Sequence, residues 1–330
     1  MSRAPRTGES APDHPGALEH EPDIRASAIT AVARTRAHGM HFYGQILGIT
    51  LSPAAGGPGS PYLAPDRAVT PGPVPPVALA AVADLAMGSA VRAAVGPGRR
   101  LGTVSMTLHH IATVVRAPVV PEARVVWLDD EQRHALARVD CTDASGALVA
   151  AGQGWFMALP VPEGVQLRLL PWELDELPPV PPLAEGDLEP QERAAVEATV
   201  RAAERASARG TSVSEELTAL TWDADPPEGM ARGALRIGPE LINRVGHLQG
   251  GALYGIGLAA AARAVGAGSV PLEPADGSWQ FLRPGDGAEL AVEATVTRSG
   301  RGAAFASVTL TVDGRAVGTG HFAFRPGPQA

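Results

Sequence analysis

Residues 242–262 have the pattern of a helix start that could bind a carbonyl oxygen. The stretch INRVGHLQGGALYGIGLAAAA places Asn243 before a turn, then the pair Gly250 and Gly251, then an apolar helix. The first N–H groups of a helix have no intrahelical partner and carry the positive end of its dipole. A substrate carbonyl could approach the N–H of Gly251, helped by the Asn243 amide, and such donors stabilise a developing oxyanion. The alternative is a glycine pair that only permits close helix packing.

Asp84 is an acid within a second apolar stretch, PVALAAVADLAMGSAVRAAVG, over residues 76–96. A helix of this sequence is apolar on most sides, so the Asp84 carboxyl is at risk of burial. Burying an unpaired carboxylate is costly, and such groups are retained when they are paired or functional. Asp84 is therefore a candidate functional residue. The alternative is a carboxylate that faces solvent or caps a neighbouring helix.

Both stretches occupy the same place in an internal repeat. A Pro-rich, acidic segment over 161–189 is the predicted linker, and it separates a first unit over 23–160 from a second over 190–326. In order, each unit has an Ala/Arg-rich helix, an irregular segment of about forty residues, an apolar helix and four strand-like runs. The first helices span 24–39 and 190–210, and the apolar helices span 76–96 and 250–268. The strand-like runs alternate with period two and are separated by turn residues.

The order of elements predicts an α+β fold. A helix that is apolar nearly all round is buried, so each unit is predicted to wrap an antiparallel sheet around a long central helix. Joining the two sheets edge to edge would remove exposed sheet edges. Two unrelated α+β domains are the alternative.

Composition excludes several function classes. The net charge of −8 argues against a nucleic-acid partner, whose binding surface would be basic. The single Cys141 excludes an internal disulfide framework and a CxxC metal site. Residues 1–22 are polar without an apolar core, which indicates a disordered tail rather than a signal peptide. No stretch approaches ~20 continuous apolar residues, so we expect a cytoplasmic protein without a membrane span.

The second unit resembles the signature of hotdog-fold acyl-CoA thioesterases of the phenylacetate-degradation (PaaI-like) branch. That family typically reads Asn-x-x-Gly-x-x-His-Gly-Gly, with a catalytic Asp or Glu seven residues after the second Gly. The matching residues are Asn243, Gly246, Gly250 and Gly251. Gln249 stands where the family has His, and Leu258 stands where it has the acid.

The first unit resembles the same family with the opposite losses. Its helix keeps the acid at Asp84, but Pro75, Pro76 and Val77 replace the His-Gly-Gly. The following stretch GTVSMTLHHI resembles the family's next strand, in which a Ser or Thr helps to hold a water molecule, and Thr103 falls at that position.

The resemblance implies a tandem (double) hotdog with one composite active site. In this family two units pair and share each site, with the Asn and Gly-Gly from one and the acid and Ser/Thr from the other. One such site would combine Asn243, Gln249 and Gly251 with Asp84 and Thr103. The other would combine Leu258 with the Pro75–Pro76 turn, and both of its sides have lost their groups. One working and one retired site explains these complementary losses better than free decay of both units.

The implied reaction is thioester hydrolysis without a metal or cofactor, on an acyl-CoA or another pantetheine-linked acyl substrate. Gly251 and Asn243 would polarise the carbonyl, and Asp84 would act as general base on a water or as nucleophile. Gln249 could hold the loop but cannot act as an acid or base. Each remaining candidate also has a purely structural alternative. Gly250 and His247 would line the substrate entrance, and Arg301 would meet CoA phosphates.

Two rival functions fit the same fold. A non-catalytic acyl-CoA or acyl-carrier binding or regulatory protein would explain the missing His and the one retired site, since fold alone does not establish activity. A hotdog hydratase or dehydratase would need an Asp and a His after the helix, and the sequence offers no such arrangement. Further pairing into a homodimer is expected, because related folds often associate again.

Overall fold

The computed structural model describes residues 23–52, 60–64, 72–96, 99–161, 178–243, 245–266 and 272–327. The predicted tail over 1–22 lies outside the described residues, as do residues 162–177 of the predicted linker. The described end of that linker holds a single 3-10 turn at Glu185–Asp187.

The first unit follows the predicted order of elements. Its helices are α1 (Ile24–His38), α2 (Phe42–Ile46) and α3 (Pro76–Val95). Its strands are β1 (Ile49–Ser52), β2 (Ser60–Leu63), β3 (Arg99–His110), β4 (Val119–Leu128), β5 (His134–Asp143) and β6 (Leu148–Pro160).

The second unit repeats that order. Its helices are α4 (Pro190–Arg209), α5 (Val213–Leu217) and α6 (Gly250–Val265). Its strands are β7 (Thr221–Trp222), β8 (Met230–Arg236), β9 (Leu272–Phe281), β10 (Glu289–Ser299), β11 (Ala304–Val312) and β12 (Arg315–Pro326). The segments expected to be irregular therefore contain α2, β1 and β2 in one unit and α5, β7 and β8 in the other. These elements are two to seven residues long, too short for a clear period in the sequence.

The first helix of each unit ends at a glycine, as predicted. Gly39 after α1 and Gly210 after α4 have φ of 71° and 68°, the left-handed conformation that glycine adopts without strain. The two helices contact each other through ion pairs, among them Arg36 Nε to Glu192 Oε1 at 2.7 Å.

The described strands form one antiparallel twelve-stranded sheet to which each unit contributes six strands. Their order is β1-β2-β4-β5-β6-β3-β9-β12-β11-β10-β8-β7. The two units join where β3 pairs with β9, from Ser105 opposite Gln280 to His109 opposite Asp276. The sheets therefore meet edge to edge, and the inner strand of each unit has no free edge.

The central helices α3 and α6 contact each other antiparallel across the junction. A Cβ on Gly251 would lie 2.5 Å from Ala81 Cβ, and one on Gly255 would lie 2.3 Å from Val77 Cγ2. Residues 77 and 251 each follow the first residue of their helix, and residues 81 and 255 lie one turn later. The two contacts are therefore related by an approximate twofold axis between the units.

Helix α3 has a property that the sequence analysis did not expect. Among the described residues it alone has the length and hydropathy of a membrane-spanning helix, and 61% of the relevant window is buried inside the protein. Asp84 and Arg92 interrupt its apolar run, so a count of continuous apolar residues missed it. In the structure α3 packs against β2, β4 and β5, which is the position of a core helix.

Candidate functional site

Asp84 and Thr103 lie side by side in the first unit. Asp84 is in the third turn of α3, and Thr103 is on β3, the strand that follows. The Thr103 hydroxyl donates to Asp84 Oδ1 at 2.8 Å. A bulge in the pairing of β3 with β6, between Thr103 and Ser105, interrupts the strand at this place. One carboxyl oxygen of the acid is therefore fixed by its own unit.

The other oxygen of Asp84 reaches the second unit. A Cβ built on Gly250, the first residue of α6, would lie 3.2 Å from Asp84 Oδ2. The same point lies 3.4 Å from Phe281 Cε1, at the end of β9. Asp84, Gly250 and Phe281 therefore converge at the junction of the two units, and Thr103 holds the acid there.

Burial raises the pKa of Asp84 to about 6, and the Thr103 hydrogen bond opposes that shift. Burial disfavours the charged carboxylate, whereas a donor to the carboxylate favours it. The nearby start of α6 also favours an anion, because it is the positive end of the helix dipole. Asp84 is thus mostly ionised at neutral pH and is a stronger base than an ordinary carboxylate.

Gln249 caps the start of α6. Its side-chain Oε1 accepts from Ala252 N at 2.8 Å, and the side chain is buried. The N–H groups of Gly250 and Gly251 have no acceptor among the described residues. The cap thus occupies the third N–H of the helix and leaves the first two for a ligand.

Gly251 has a packing reason of its own. Ala81 of α3 fills the position where its Cβ would be, so the alternative of close helix packing holds for this residue. Gly250, which the sequence analysis placed at the substrate entrance, is the glycine that contacts the acid. Both can offer their N–H groups, but Gly250 is the one beside Asp84.

The side-chain oxygen of Asn243 bonds within its own loop. This Oδ1 accepts from Val245 N at 3.0 Å and His247 N at 3.1 Å, and thereby holds the turn before α6. Gly246 in that turn has φ of 85°, which explains the glycine. No described contact brings Asn243 to Asp84. His247 is half-buried in the same turn, and its Nδ1 is buried without a partner among the described residues.

Arg301 lies far from Asp84 and the start of α6, and its predicted contact with CoA phosphates stays a prediction. It is exposed in the turn between β10 and β11. Through the strand pairing, Ala304 is opposite Phe324, and Phe324 is opposite Pro274 at the start of β9. Phe281 is seven residues further along β9, about 23 Å at ~3.3 Å per residue. The turn that holds Arg301 therefore lies level with the start of β9, whereas Phe281 is at the end of that strand.

The second potential site carries none of the required groups. Pro76 and Leu258 take the places of Gly250 and Asp84, since 76 and 250 begin the two helices and 84 and 258 follow eight residues later. The β9–β12 pairing has a bulge like that beside Thr103, and Pro274 stands there instead of a hydroxyl. The positions matched in the sequence therefore correspond in the structure, and the complementary loss of one site stays a prediction.

His109 and His110 point to opposite sides of β3, as expected for neighbours on a strand. His109 Nδ1 lies 2.6 Å from Asp276 Oδ1, whereas His110 is buried and its Nε2 lies 3.1 Å from the Tyr254 hydroxyl. Burial lowers the pKa of His110 to about 4. In the described part of the chain, no three His, Cys, Asp or Glu side chains cluster as metal ligands would.

Phe281 is the site residue that the sequence analysis missed. It lies in the run GSWQFLRPG, interpreted only as a strand, and an apolar residue at a strand end carries no chemical signal. The period of two could have placed its side chain on the helix-facing side together with the buried Trp279.

Comparison with known proteins places this geometry in a family context. Residues 239–325 match the model of the acyl-CoA thioesterase N-terminal domain family. The match includes Gly250 and Gly251 but not Asp84, which lies in the other unit. No curated protein sequence matches the chain.

Two solved structures share the architecture of the whole chain. A conserved protein of unknown function with a hot dog fold from Alicyclobacillus acidocaldarius is 14% identical with a TM-score of 0.53, covering 88% of this chain and 99% of its own. The tesB protein of Mycobacterium avium subs paratuberculosis is 16% identical with a TM-score of 0.51, covering 86% of this chain and 97% of its own. These likenesses confirm the predicted hotdog fold. The family match confirms the acyl-CoA thioesterase resemblance of the second unit.

Proposed function

We propose that this protein hydrolyses acyl thioesters at one composite site between its two hotdog units. The observation that carries the proposal is the approach of Asp84 Oδ2 to the start of α6, where it lies 3.2 Å from the position that a Cβ on Gly250 would occupy. It brings the only acid of the two central helices to two N–H groups that lack acceptors among the described residues. The family match over 239–325 supports the same reaction class.

The N–H groups of Gly250 and Gly251 would bind the thioester carbonyl oxygen. Asp84 would take a proton from a water, whose oxygen attacks the carbonyl carbon to give a tetrahedral oxyanion held by those donors. Collapse of this intermediate breaks the C–S bond. The thiolate then receives the proton from Asp84, which returns to its ionised form.

Thr103, Gln249 and Asn243 would act as positioning residues in this mechanism. Thr103 orients the carboxyl through Oδ1 and leaves Oδ2 for the water. Gln249 fixes the start of α6, and Asn243 fixes the turn before it. None of the three needs to exchange a proton in this mechanism. Gln249 can therefore replace the family's His here although it cannot act as an acid or base.

The substrate in this proposal is an acyl-CoA or an acyl group on a carrier-bound pantetheine, both of which present the same thioester. A cytoplasmic location and a homodimer belong to the proposal as well. Sizing of the purified protein would test the homodimer, and cell fractionation would test the location.

The test is hydrolysis of short, long and aryl acyl-CoAs, measured as free thiol, by the wild-type protein and by Asp84→Asn and Asp84→Ala. Loss of a general base is expected to lower kcat about 10²-fold or more. Asp140→Asn, on β5 away from the site, is the matched control. Near wild-type activity of both Asp84 variants would remove the composite site. No thiol release by the wild-type protein from any acyl-CoA would instead favour the binding protein.

Turnover in ¹⁸O-labelled water separates the two roles open to Asp84. A general base leaves the enzyme unlabelled and puts the label into the product acid. A nucleophilic Asp84 forms an anhydride, and attack of water on its Asp84 carbonyl carbon leaves the label in the carboxyl of Asp84, which mass spectrometry of peptides would detect.

A further inference from the structure

Phe281 presents a half-exposed ring at the site. Its Cε1 and Cζ lie 3.4 and 3.6 Å from the Cβ position of Gly250, the point that Asp84 Oδ2 approaches to 3.2 Å. Because residue 250 has no side chain, no Cβ stands between the ring and the acid at this point. On β9, Phe281 pairs with Gly318 of β12, and its side chain lies on the same side of the strand as the buried Trp279.

The equivalent position in the first unit shows that such a residue need not face a pocket. An approximate twofold axis relates β3 to β9 and exchanges the pair His109–Asp276 with the pair Gln280–Ser105. His109 therefore corresponds to Gln280, and the next residue, His110, corresponds to Phe281. His110 is buried and bonded to Tyr254. Phe281 has no such partner ring among the described residues, and it keeps part of its surface free.

The chemistry of the ring determines which part of a thioester it can contact. A pantetheine arm carries amides, which lose hydrogen bonds against an apolar surface. An apolar acyl group loses nothing there and gains from burial. An acyl group with a second carboxylate would meet both the ring and the charge of Asp84, and both disfavour it.

We infer that Phe281 forms the wall for the acyl group and selects apolar acyl groups over those that carry a second carboxylate. This inference rests on the proposed function and adds the substrate class. It makes Phe281 a specificity-determining residue, in contact with the substrate next to the reacting carbonyl.

The test compares kcat/KM for hexanoyl-CoA and succinyl-CoA in the wild-type protein, Phe281→Ala and Phe281→Leu. Phe281→Ala is expected to lower kcat/KM for hexanoyl-CoA about tenfold or more and to leave succinyl-CoA within about threefold. Phe281→Leu restores apolar surface and should recover most of the hexanoyl-CoA activity. Phe305→Ala, which truncates an exposed ring on β11, is the matched control.

A ratio of the two substrates that does not change in Phe281→Ala would overturn the inference, because a merely structural role lowers both activities together. Failure of the proposed function gives a different result, namely no hydrolysis by the wild-type protein. In that case calorimetric binding of the same two thioesters to wild type and Phe281→Ala decides. Tighter binding of hexanoyl-CoA than of succinyl-CoA by the wild-type protein, lost in Phe281→Ala, supports the inference. Equal binding of both thioesters by the wild-type protein overturns it.

Discussion

Asp84 of α3 and Gly250 of α6 approach each other across the junction of the two units, with Oδ2 3.2 Å from the position that a Cβ on residue 250 would occupy. Helix α6 contains no acid, and α3 begins with Pro76, which has no N–H. In the proposed composite site, each unit therefore supplies the groups that the other lacks.

Replacing Thr103 with Val should raise the pKa of Asp84 further. The Thr103 hydroxyl now stabilises the ionised carboxyl, and a hydrogen bond to a charged group contributes about 1.5–3 kcal/mol. Activity depends on the ionised acid, so the acid limb of kcat/KM against pH should move upward by about one unit. Thr107→Val, on the same strand, is the control. An acid limb that stays near pH 6 in Thr103→Val would contradict this role.

Asp84→Asn should stabilise the protein near neutral pH while it removes activity. The pKa of Asp84 rises from an ordinary 3.8 to about 6 on folding, so the unfolded chain releases this proton first. Asp84 therefore has no effect on stability below about pH 4, destabilises the fold increasingly up to about pH 6, and does so constantly above. The full pKa shift would correspond to about 3 kcal/mol of destabilisation. Because the Asp84 side chain is only half-buried, solvent screening reduces this destabilisation to about 2 kcal/mol.

Denaturant unfolding of wild type and Asp84→Asn at several pH values measures this difference. The two proteins should have equal free energies of unfolding at acidic pH and should diverge as the pH rises. A variant that is less stable than the wild-type protein at pH 7 would show that the carboxylate is well solvated or paired.

Gly251→Ala should lower the stability of the fold, whereas Gly250→Ala should lower activity and leave the fold intact. At 251 the new Cβ would lie 2.7 Å from Ala81 Cα, a backbone atom that cannot turn aside. We expect Gly251→Ala to lose about 2 kcal/mol of stability, in the range of overpacked cores. At 250 the three atoms nearest to the new Cβ belong to the side chains of Asp84 and Phe281, at 3.2 Å or more, so the fold should persist while activity falls.

Thermal unfolding and thioester hydrolysis of both glycine variants check this pair. Equal loss of stability in the two would mean that Gly250 is also a packing residue. Full activity of Gly250→Ala would mean that the approach between Asp84 and α6 is not where the reaction occurs.

The elements that carry the site could be predicted from the sequence because their signals are local. Apolar runs marked α3 and α6, terminal glycines marked the ends of α1 and α4, and period two marked the eight long strands. Each of these inferences needs only the order of residues within one element. The pairing of Asp84 with the start of α6 was implied by the resemblance, because the family shares each site between two units and the two units here lose complementary groups.

The roles that were not predicted depend on contacts between distant segments. The oxygen of Asn243 is taken by its own turn, the Cβ position of Gly251 is filled by α3, and Phe281 reaches the site from the end of β9. The strand pairing, not the spacing along the chain, decides which end of the sheet the turn of Arg301 occupies. Sequence patterns give the face of a residue but not its neighbours across a junction.

Arg301→Ala should leave the kinetics unchanged. The strand pairing puts its turn at the Pro274 end of β9, which is the side of the retired site. The KM for any acyl-CoA that the enzyme hydrolyses should therefore stay within about twofold of wild type, as for surface substitutions generally. A rise of KM in this variant would show that the nucleotide part of CoA reaches across the sheet.

Gln249→His should retain the cap of α6, and Gln249→Ala should lose it. The protein already caps one helix with an imidazole, since His41 Nδ1 accepts from Gly44 N at 2.9 Å at the start of α2. Gln249→Ala removes the acceptor of Ala252 N and should cost about 1 kcal/mol of stability. It should also lower kcat, because a frayed first turn no longer holds the N–H of Gly250 beside Asp84. Thermal unfolding and kcat of both variants distinguish a capping role of residue 249 from a role in proton transfer. A strong rise of activity in Gln249→His, with a new titration near the pKa of imidazole, would show that the family's His does more than cap the helix.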